Sequence, residues 1–324
     1  MGVKIYQART QKGKIKRMEN SQVVKFLLQG ELVVFPTETV YGVGVDAFNR
    51  KAVAALARAK NRPLNQPFSL HLGSEKQTES LIRGSVSSFE KIVDIFWPGP
   101  LTLILPATEK VPEWIKGPRE TVGLRLPDFP AARDLALELG RPLAATSANL
   151  SGRLSPTTVE HALGDLSSSV RAVIDGGPAD WGLESTVLDL STENPRILRR
   201  GAVEVEALEE VLGEKIIADK ATDRPHYQPG IPLYFCPNPQ KGLKKLKAKG
   251  FKEIAYFGPD QIADEAISEY RTSSGDRLGL KNFYRNLREL ENHGQVILAV
   301  PPQAGKYRDI LTSRLQEAAT EHIE

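Results

Sequence analysis

The sequence predicts an α/β (α+β) protein of two domains, with a twisted mixed sheet in the first and a smaller parallel sheet in the second. The chain of 324 residues is longer than one hydrophobic core usually serves. Apolar segments alternate with helical patterns from about residue 20 to 213, and this periodicity fails from 214 to about 231. We therefore predict a domain over 1–213, a linker over 214–231 and a domain over 232–324.

Short apolar runs and helix-ending residues define the elements of the first domain. Gly30 and Gly140 follow two helical patterns, and Pro98 ends a third. The predicted helices are Val23–Leu28, Lys51–Lys60, Phe89–Phe96, Ala131–Leu139 and Val205–Leu212. The predicted strands are Leu32–Phe35, Phe68–Leu72, Leu101–Leu105, Val122–Leu126, Leu143–Thr146, Ala172–Ile174, Thr186–Leu190 and Ile197–Leu198.

The second domain shows strands separated by helical patterns, which is typical of a small parallel βαβα unit. Strands are predicted at Pro232–Cys236, Glu253–Tyr256 and Val296–Val300. Apolar residues from Leu280 to Leu290 recur on one helical face, and a last helix is predicted over Arg308–His322.

Composition excludes several classes of protein. The single cysteine, Cys236, excludes an internal disulfide and a cysteine-rich metal site. No apolar run approaches the roughly 18–20 residues of a membrane span, and the N-terminus lacks the apolar region of a secretory signal. We therefore expect a cytoplasmic protein with no membrane partner.

Charge alone does not indicate nucleic-acid binding, since 43 basic and 40 acidic residues leave a net charge of +3. Two basic clusters, at 9–17 and 241–252, could contact RNA phosphates. We favour solvated faces, because neither cluster contains interleaved aromatic residues.

The most informative stretch is Val33–Asp46, in which polar side chains follow a buried strand. Burying an unpaired polar group costs about 1–3 kcal/mol, so a simple turn would use cheaper residues. Thr37, Glu38, Thr39 and Tyr41 therefore indicate a ligand cradle. The alternative is a polar loop that caps the next helix.

Basic residues follow the second predicted helix. Lys60 and Arg62 suit an anionic ligand, because a guanidinium can bind phosphate or carboxylate through two hydrogen bonds. They could equally complement the C-terminus of the helix. His71 lies between two leucines, which taken alone favours a satisfied core histidine.

A strand further along the chain places Thr121 and Arg125 on one face. An arginine among apolar strand residues is costly unless it has an anionic partner, which could be a protein carboxylate or a ligand. We expect a ligand.

Two more polar segments follow predicted strands. The segment 146–155 is rich in serine and asparagine, and it could hold phosphate or act as a run of helix caps. Glu184, Ser185 and Thr186 open one strand, and Arg199 and Arg200 close another. Since the P-loop, G-x-S-x-G and H-E-x-x-H motifs are absent from the sequence, we predict positioning and charge neutralisation at phosphate without a catalytic nucleophile.

Seven motifs in order resemble one family, the threonylcarbamoyl-AMP synthases with their YrdC-like domain. They are FPTETVYGVG, KNRP…LHL, WPGPLTLIL, TVGLRLP, SANLSG…SPT, GLESTVLDL and ILRRG. The segment HY-x-P and the α/β tail resemble the longer form of the enzyme. The resemblance implies a twisted mixed-sheet YrdC-like catalytic domain followed by a small Rossmann-like domain.

The implied activity is that of an L-threonylcarbamoyladenylate synthase, a nucleotidyltransferase. L-Threonine, bicarbonate and ATP, with Mg²⁺, would give threonylcarbamoyl-AMP and pyrophosphate. The product would pass to a tRNA threonylcarbamoyl transferase that forms N6-threonylcarbamoyladenosine at position 37 of tRNA. Weak binding of tRNA or RNA would fit this role.

The resemblance also implies roles for residues at matching positions, and it replaces the core interpretation of His71. The implied L-threonine contacts are Thr39, His71, Arg125, Ala145 and Ser185. The implied ATP contacts are Lys60, Arg62, Gln66, Thr121, Ser147, Ser155 and Arg199. Lys60 and Arg62 are the closest candidates for a catalytic role, and no protein metal site is implied.

Some positions depart from the family pattern. Gln66 stands where an asparagine is common, and Arg200 replaces a proline. The linker signature is shortened to Asp223–Pro229, within which His226 and Tyr227 are implied to lie over the site.

Two other functions compete. A basic cradle for double-stranded RNA is one, although Arg125 and Ser185 at strand ends suit a small-molecule pocket better. A different carbamoyl-adenylate chemistry, as in hydrogenase-maturation proteins, is the other. Those proteins add acylphosphatase and zinc-finger parts, which a single cysteine excludes here.

Overall fold

The computed structural model describes residues 2–8, 21–63, 66–84, 88–218 and 227–323. The chain divides into two compact units. The first unit comprises Met1–Leu150, Thr157–Asp180 and Glu184–Ala221, and the second comprises Ser151–Pro156, Trp181–Leu183 and Thr222–Glu324. Two short segments of the predicted first domain, 151–156 and 181–183, thus group with the second unit. The linker over 214–231 stays a prediction, because 219–226 lie outside the described residues.

The first unit is built on an eleven-stranded sheet. Its strands are β1 Lys4–Gln7, β2 Val33–Phe35, β3 Gly42–Asp46, β4 Ser69–His71, β5 Leu101–Pro106, β6 Thr121–Arg125, β7 Leu143–Ser147, β8 Ala172–Asp175, β9 Thr186–Asp189, β10 Arg196–Arg199 and β11 Ile217–Ala218. Its helices are α1 Ser21–Leu28, α2 Arg50–Ala59, α3 Phe89–Phe96, α4 Pro130–Leu139, α5 Val159–Leu166 and α6 Val205–Leu212, with 3-10 helices at Glu75–Ser80 and Pro118–Glu120.

The sheet is mixed, as predicted. Its order is β1-β8-β2-β3-β7-β4-β6-β5-β9-β10-β11. The central pairs β3·β7 and β4·β7 are antiparallel, whereas β4 and β6 run parallel. Every helix and strand predicted for this part is present, with ends that differ by at most two residues.

Local signals explain where the helices begin and end. Asn49 caps α2, because its side chain accepts a hydrogen bond from the backbone N–H of Ala52. Pro130 occupies the first turn of α4, and Gly140 ends that helix with a φ of 72°. These residues fix the lengths of the helices that cover the sheet.

Strand β3 is not among the predicted elements. Its sequence, Gly42–Asp46, formally matches part of a dinucleotide-binding pattern, but it forms a buried strand antiparallel to β2. A Cβ on Gly42 would lie 2.9 Å from the ring of Phe35, so glycine lets the aromatic side chain pack against the strand. Strands β1 and β11 and helix α5 are likewise not among the predicted elements.

The second unit contains a five-stranded sheet in which every pair is parallel, as predicted. Its strands are β12 Leu233–Phe235, β13 Ile254–Gly258, β14 Ile267–Thr272, β15 Val296–Ala299 and β16 Glu321–His322, in the order β14-β13-β15-β12-β16. Its helices are α7 Pro239–Ala248, α8 Arg277–Leu290 and α9 Arg308–Ala318.

One prediction in this unit is wrong. The last helix ends at Ala318 and does not continue to His322. The backbone turns extended at Ala319, and the N–H of Thr320 donates to the carbonyl of Leu233. The chain then adds β16 beside β12, because the edge of β12 offers backbone hydrogen bonds that one more helical turn would forgo.

The predicted apolar face of α8 is confirmed, since Leu280, Phe283, Leu287 and Leu290 are all buried. Within the described ranges, no helix combines the length and hydropathy needed to cross a membrane.

The basic clusters have different outcomes. The cluster at 9–17 lies outside the described residues. In the cluster at 241–252, Lys247 lies 2.7 Å from the carboxylate of Asp264, and Lys245 and Lys249 pair with Glu321. These lysines are therefore partly neutralised, as on a solvated face.

Candidate active site

A cavity of about 80 Å³ lies among strand ends of the first unit. The residues that line it are Thr37, Val40, Gly42, Ser69, His71, Thr102, Arg125, Thr146, Ser147, Glu184, Ser185 and Arg199. Of the residues implied by the resemblance, five meet here, namely His71, Arg125, Ser147, Ser185 and Arg199.

Strand register brings two of these residues together. His71 of β4 and Arg125 of β6 are direct partners in the parallel pair. Directly paired residues present their side chains on the same face of a sheet. An imidazole and a guanidinium therefore lie side by side at the cavity.

Arg125 has a protein carboxylate as its anionic partner. Its Nη2 donates to Glu38 Oε1 and to Thr39 Oγ1, each at 2.7 Å. The expectation that a ligand supplies the anion is thus corrected. Arg125 Nε is buried and has no hydrogen-bond partner among the described residues. One N–H of this cavity-lining residue thus has no partner within the described residues.

The connection between β2 and β3 holds Glu38 and Thr39 in place. Thr37 Oγ1 donates to the carbonyl of Val40 at 2.6 Å and lies 2.8 Å from Thr39 Oγ1. Glu38 Oε2 accepts from the N–H of Asp128 at 3.0 Å. Thr39 itself is fully buried behind Arg125 and orients the guanidinium.

His71 is buried and neutral. Burial, and then the charge of Arg125, hold the pKa of His71 well below its ordinary value, so the ring is uncharged at neutral pH. Its Nδ1 has no partner among the described residues. A satisfied core histidine would leave no buried ring nitrogen unpaired, so the geometry favours the ligand-binding interpretation.

Ser185 and Arg199 form a second polar group on the cavity wall. Arg199 Nη2 donates to Ser185 Oγ at 3.0 Å, and its Nε donates to the Ser185 carbonyl at 3.1 Å. Ser185 Oγ also lies 2.8 Å from Thr102 Oγ1. Sequence reasoning missed Thr102, although a hydroxyl inside the apolar run of β5 was an available signal.

Lys60 supports the cavity wall but is not among the lining residues. It is 2% exposed, and its Nζ donates to the carbonyls of Ser147 and of Asn149, the latter at 2.6 Å. Burial, followed by the charge of Arg62, lowers the pKa of Lys60 to about 7. Lys60 thereby fixes the segment that follows β7.

Arg62 lies in a cluster of like charges. Its guanidinium is 5.0 Å from the ring centre of Phe68 and donates to the carbonyl of Pro67 at 2.9 Å. Burial, and then Arg199, lower the pKa of Arg62. Because the charge of Arg62 disfavours that of Lys60, and the charge of Arg199 disfavours that of Arg62, an anion placed near them would relieve the repulsion.

Other implied contacts of the first unit lie away from the cavity lining. Thr121 is at the opposite end of β6 from Arg125, roughly 13 Å along the strand, and its hydroxyl donates to the carbonyl of Pro118. Ala145 is buried in β7, opposite Gly44 and Ser69. Gln66 is half-buried. Their roles stay predictions.

Three further implied residues are not placed at this cavity. Ser155 belongs to the second unit, where it is buried. Tyr227 also belongs to that unit, with its ring 5.7 Å from that of Tyr284 and 4.7 Å from the guanidinium of Arg314. His226 lies outside the described residues. The role of the linker therefore stays a prediction.

Comparison with known proteins agrees with the motifs. The Sua5_yciO_yrdC family model, described as "Telomere recombination", matches residues 25–201. The chain belongs to the Sua5/YciO/YrdC family. A threonylcarbamoyl-AMP synthase of Pyrococcus abyssi is 36% identical over 300 residues, which cover 85% of this chain and 86% of that relative. A threonylcarbamoyl-AMP synthase of Bacillus subtilis is 35% identical over 321 residues, which cover 92% of each.

A solved structure of the family extends the similarity to the whole chain. The crystal structure of P. abyssi Sua5 complexed with L-threonine has a TM-score of 0.88 and 32% identity, and the match covers 99% of both chains. The two-domain architecture of this chain is therefore that of the family's longer form.

Proposed function

We propose that this chain forms threonylcarbamoyl-AMP and pyrophosphate from L-threonine, bicarbonate and ATP. The observation that carries the proposal is Arg125, a residue that lines the cavity and whose buried Nε has no hydrogen-bond partner among the described residues. It occurs in a chain 36% and 35% identical to two threonylcarbamoyl-AMP synthases. The likeness to a Sua5 crystallised with L-threonine supports the choice of amino acid.

Threonine would bind at the end of the cavity formed by Arg125 and His71. The free N–H of Arg125 suits the substrate carboxylate, because a charge-assisted hydrogen bond is stronger than a neutral one. The neutral imidazole of His71 offers a hydrogen bond to the substrate amine or hydroxyl without adding charge. A cavity of about 80 Å³ suits such a small ligand and not an RNA surface.

The triphosphate would lie toward Arg62 and Arg199. In the reaction, the amine of threonine takes up bicarbonate-derived CO₂ as a carbamate, and a carbamate oxygen attacks the α-phosphorus. The bond from that phosphorus to the pyrophosphate oxygen breaks, and pyrophosphate leaves. The cations stabilise the charge that develops on the phosphates. Burial, and then the charge of Arg199, lower the pKa of Arg62, so a phosphate beside Arg62 would favour its charged form.

We propose that Mg²⁺ enters with ATP. The described residues contain no group of three or more His, Cys, Asp or Glu that could hold a metal alone. Mg²⁺ is commonly held by substrate phosphates, waters and one or two carboxylates. Glu184 is the carboxylate that lines the cavity and fits such a role. When bound, the ion supplies neutralisation of the leaving pyrophosphate.

The product is a reactive mixed anhydride, so another enzyme must consume it promptly. We propose a tRNA threonylcarbamoyl transferase as that partner, with N6-threonylcarbamoyladenosine at position 37 of tRNA as the final product and the cytoplasm as the place of reaction. The proposal includes direct contact between this chain and tRNA.

The test is to incubate the full chain with ATP, Mg²⁺, bicarbonate and isotope-labelled threonine and to analyse the products by mass spectrometry. We expect an adenylate that carries the label, together with one pyrophosphate for each adenylate. Release of pyrophosphate without any labelled adenylate, in a sample quenched within seconds, would refute the proposal.

A further inference from the structure

The second unit contains a cavity of about 350 Å³. Residues that follow the carboxyl ends of β12, β13 and β15 line it, among them Gln240, Pro259 and Gln303. From β12 the chain crosses β15 to reach β13, whereas from β15 it crosses β12 to reach β16. Opposite crossings create a crevice at the carboxyl edge of a parallel sheet, which is where ligands of such sheets bind.

A buried tyrosine residue lines this cavity. Tyr256 of β13 is 1% exposed and lines the cavity, and its ring stacks on Tyr270 at 5.7 Å. Its Oη makes no hydrogen bond to any described residue. The hydroxyl lies against Gly258 at the strand end, where an added Cβ would be only 2.1 Å from it. Since the hydroxyl makes no hydrogen bond within the described residues, it is available to a ligand atom at the cavity.

Uncharged amides and one carboxylate form the rim. The side chains of Gln240, Gln261 and Gln303 line the cavity and are exposed, and none is hydrogen-bonded to another described residue. Asp260 likewise forms no ion pair with a described residue. Asp264 differs, because Lys247 neutralises it and the N–H of Ala266 donates to it.

The lining disfavours phosphate. No lysine or arginine is among the described residues that line the cavity. The segment after β12, Cys236-Pro237-Asn238-Pro239, has two prolines and so lacks backbone N–H groups that a phosphate loop would use. The free carboxylate of Asp260 would also repel an anion.

We propose that this cavity binds an uncharged nucleoside, with adenosine as the type of ligand. The carboxylate of Asp260 suits the ribose hydroxyls, in the way that an acidic residue binds ribose in related parallel sheets. Glutamine amides can donate to and accept from the edge of adenine at the same time. The hydroxyl of Tyr256 supplies a further hydrogen bond. This inference does not rest on the proposed function of the first unit.

The experiment measures hydrogen–deuterium exchange of the full chain with and without adenosine, read from peptides that contain residues 254–266. We expect adenosine to slow exchange there. Asp260→Asn should raise the adenosine concentration needed for half-maximal protection about tenfold, because it removes a hydrogen bond to a charged group. Tyr256→Phe keeps the ring and should weaken it to a lesser extent. Asp309→Asn, an exposed carboxylate of α9, is the matched control and should leave the effect unchanged.

Other ligands discriminate between the alternatives. Compared with adenosine, 2′-deoxyadenosine should be weaker at these peptides, and AMP should also be weaker because of its phosphate. Equal or stronger protection by AMP would overturn the proposal, as would protection by spermidine in place of adenosine. Absence of adenosine protection in these peptides, or protection that survives Asp260→Asn and Tyr256→Phe, would overturn it as well. Since enzymatic activity is not the readout, the result is independent of the first unit.

Discussion

The cavity of the first unit and the cavity of the second unit lie at strand ends, but their polar groups are held differently. In the first, protein acceptors fix the cations: Glu38 holds the buried Arg125, and Ser185 holds the half-buried Arg199. In the second, amides and a free carboxylate line an open crevice without lysine or arginine among its described residues. On the two proposals, the ligand type follows from the side chains at the strand ends and not from the α/β fold. Cations favour an anionic ligand, and amides with one carboxylate favour an uncharged ligand.

Burial also separates the ion pairs near the two cavities. The side chains of Arg125 and Glu38 are 6% and 5% exposed, whereas those of Lys247 and Asp264 are 40% and 22% exposed. Breaking a buried pair leaves an uncompensated charge, while solvent compensates an exposed one. Variants that remove one charge at a time therefore test whether burial determines what each ion pair contributes.

The largest effect is expected from Arg125→Ala. It should lower the free energy of unfolding by about 3–5 kcal/mol, because Glu38 stays buried without a partner. It should also lower kcat/KM for threonine about tenfold or more, through loss of a charge-assisted hydrogen bond. Denaturant unfolding and steady-state kinetics measure the two effects.

A double variant separates those effects. Arg125→Met with Glu38→Gln removes both charges, so much of the lost stability should return while threonine use stays impaired. Recovery of both properties would show that Arg125 only neutralises Glu38 and does not bind substrate.

Arg62→Ala tests the proposed phosphate-binding region near Arg199. It should raise KM for ATP about tenfold, since one charge-assisted contact to phosphate is lost, and it should change KM for threonine little. The two KM values, each measured at saturating concentrations of the other substrates, check this. A change in KM for threonine as large as that for ATP would contradict the assignment of Arg62 to ATP and of Arg125 to threonine.

Lys60→Met tests a buried cation through pH. The pKa of Lys60, lowered to about 7 in the folded chain, lies below that of an unfolded lysine, so the unfolded state binds more protons between these values. The stability of the wild type relative to Lys60→Met should therefore rise as pH rises above 7, by up to about 1.4 kcal/mol per unit. Urea unfolding of both proteins at several pH values from 7 to 9 measures the difference in their stability. The range begins at the pKa of Lys60 in the folded chain, about 7. A constant difference would mean that Lys60 stays fully charged when folded.

The smallest effect is expected from Lys247→Gln in the second unit. Loss of this partly exposed pair should lower the free energy of unfolding by at most about 1 kcal/mol. A loss comparable to that of Arg125→Ala, measured in the same denaturant, would show that burial does not separate the two ion pairs.

Much of the fold could be predicted from sequence because its signals are local. Apolar runs, Gly140 after α4 and the single face of α8 require no knowledge of distant partners. Strand β3 and strand β16 could not be found in this way. The first depends on Phe35 packing against Gly42, and the second on the free edge of β12.

The same distinction between local signals and distant contacts applies to the candidate site. The residue types at the ends of predicted strands indicated Arg125, Ser185 and Arg199, the family resemblance added His71, and the structure places these four at one cavity. Sequence could not show that Glu38 pairs with Arg125, because that contact joins residues far apart in the chain. It could not show that Lys60 holds backbone carbonyls, since carbonyls carry no sequence signature.

The most direct test of the central claim is the rate of pyrophosphate release from ATP by the full chain, with each substrate omitted in turn. If the cavity of the first unit joins threonine to the adenylyl group, omission of either threonine or bicarbonate should reduce release to the level without enzyme. At limiting threonine, Arg125→Ala should release pyrophosphate about tenfold or more slowly than the wild type even when both are present. Release that continues at the full rate without threonine would contradict the account.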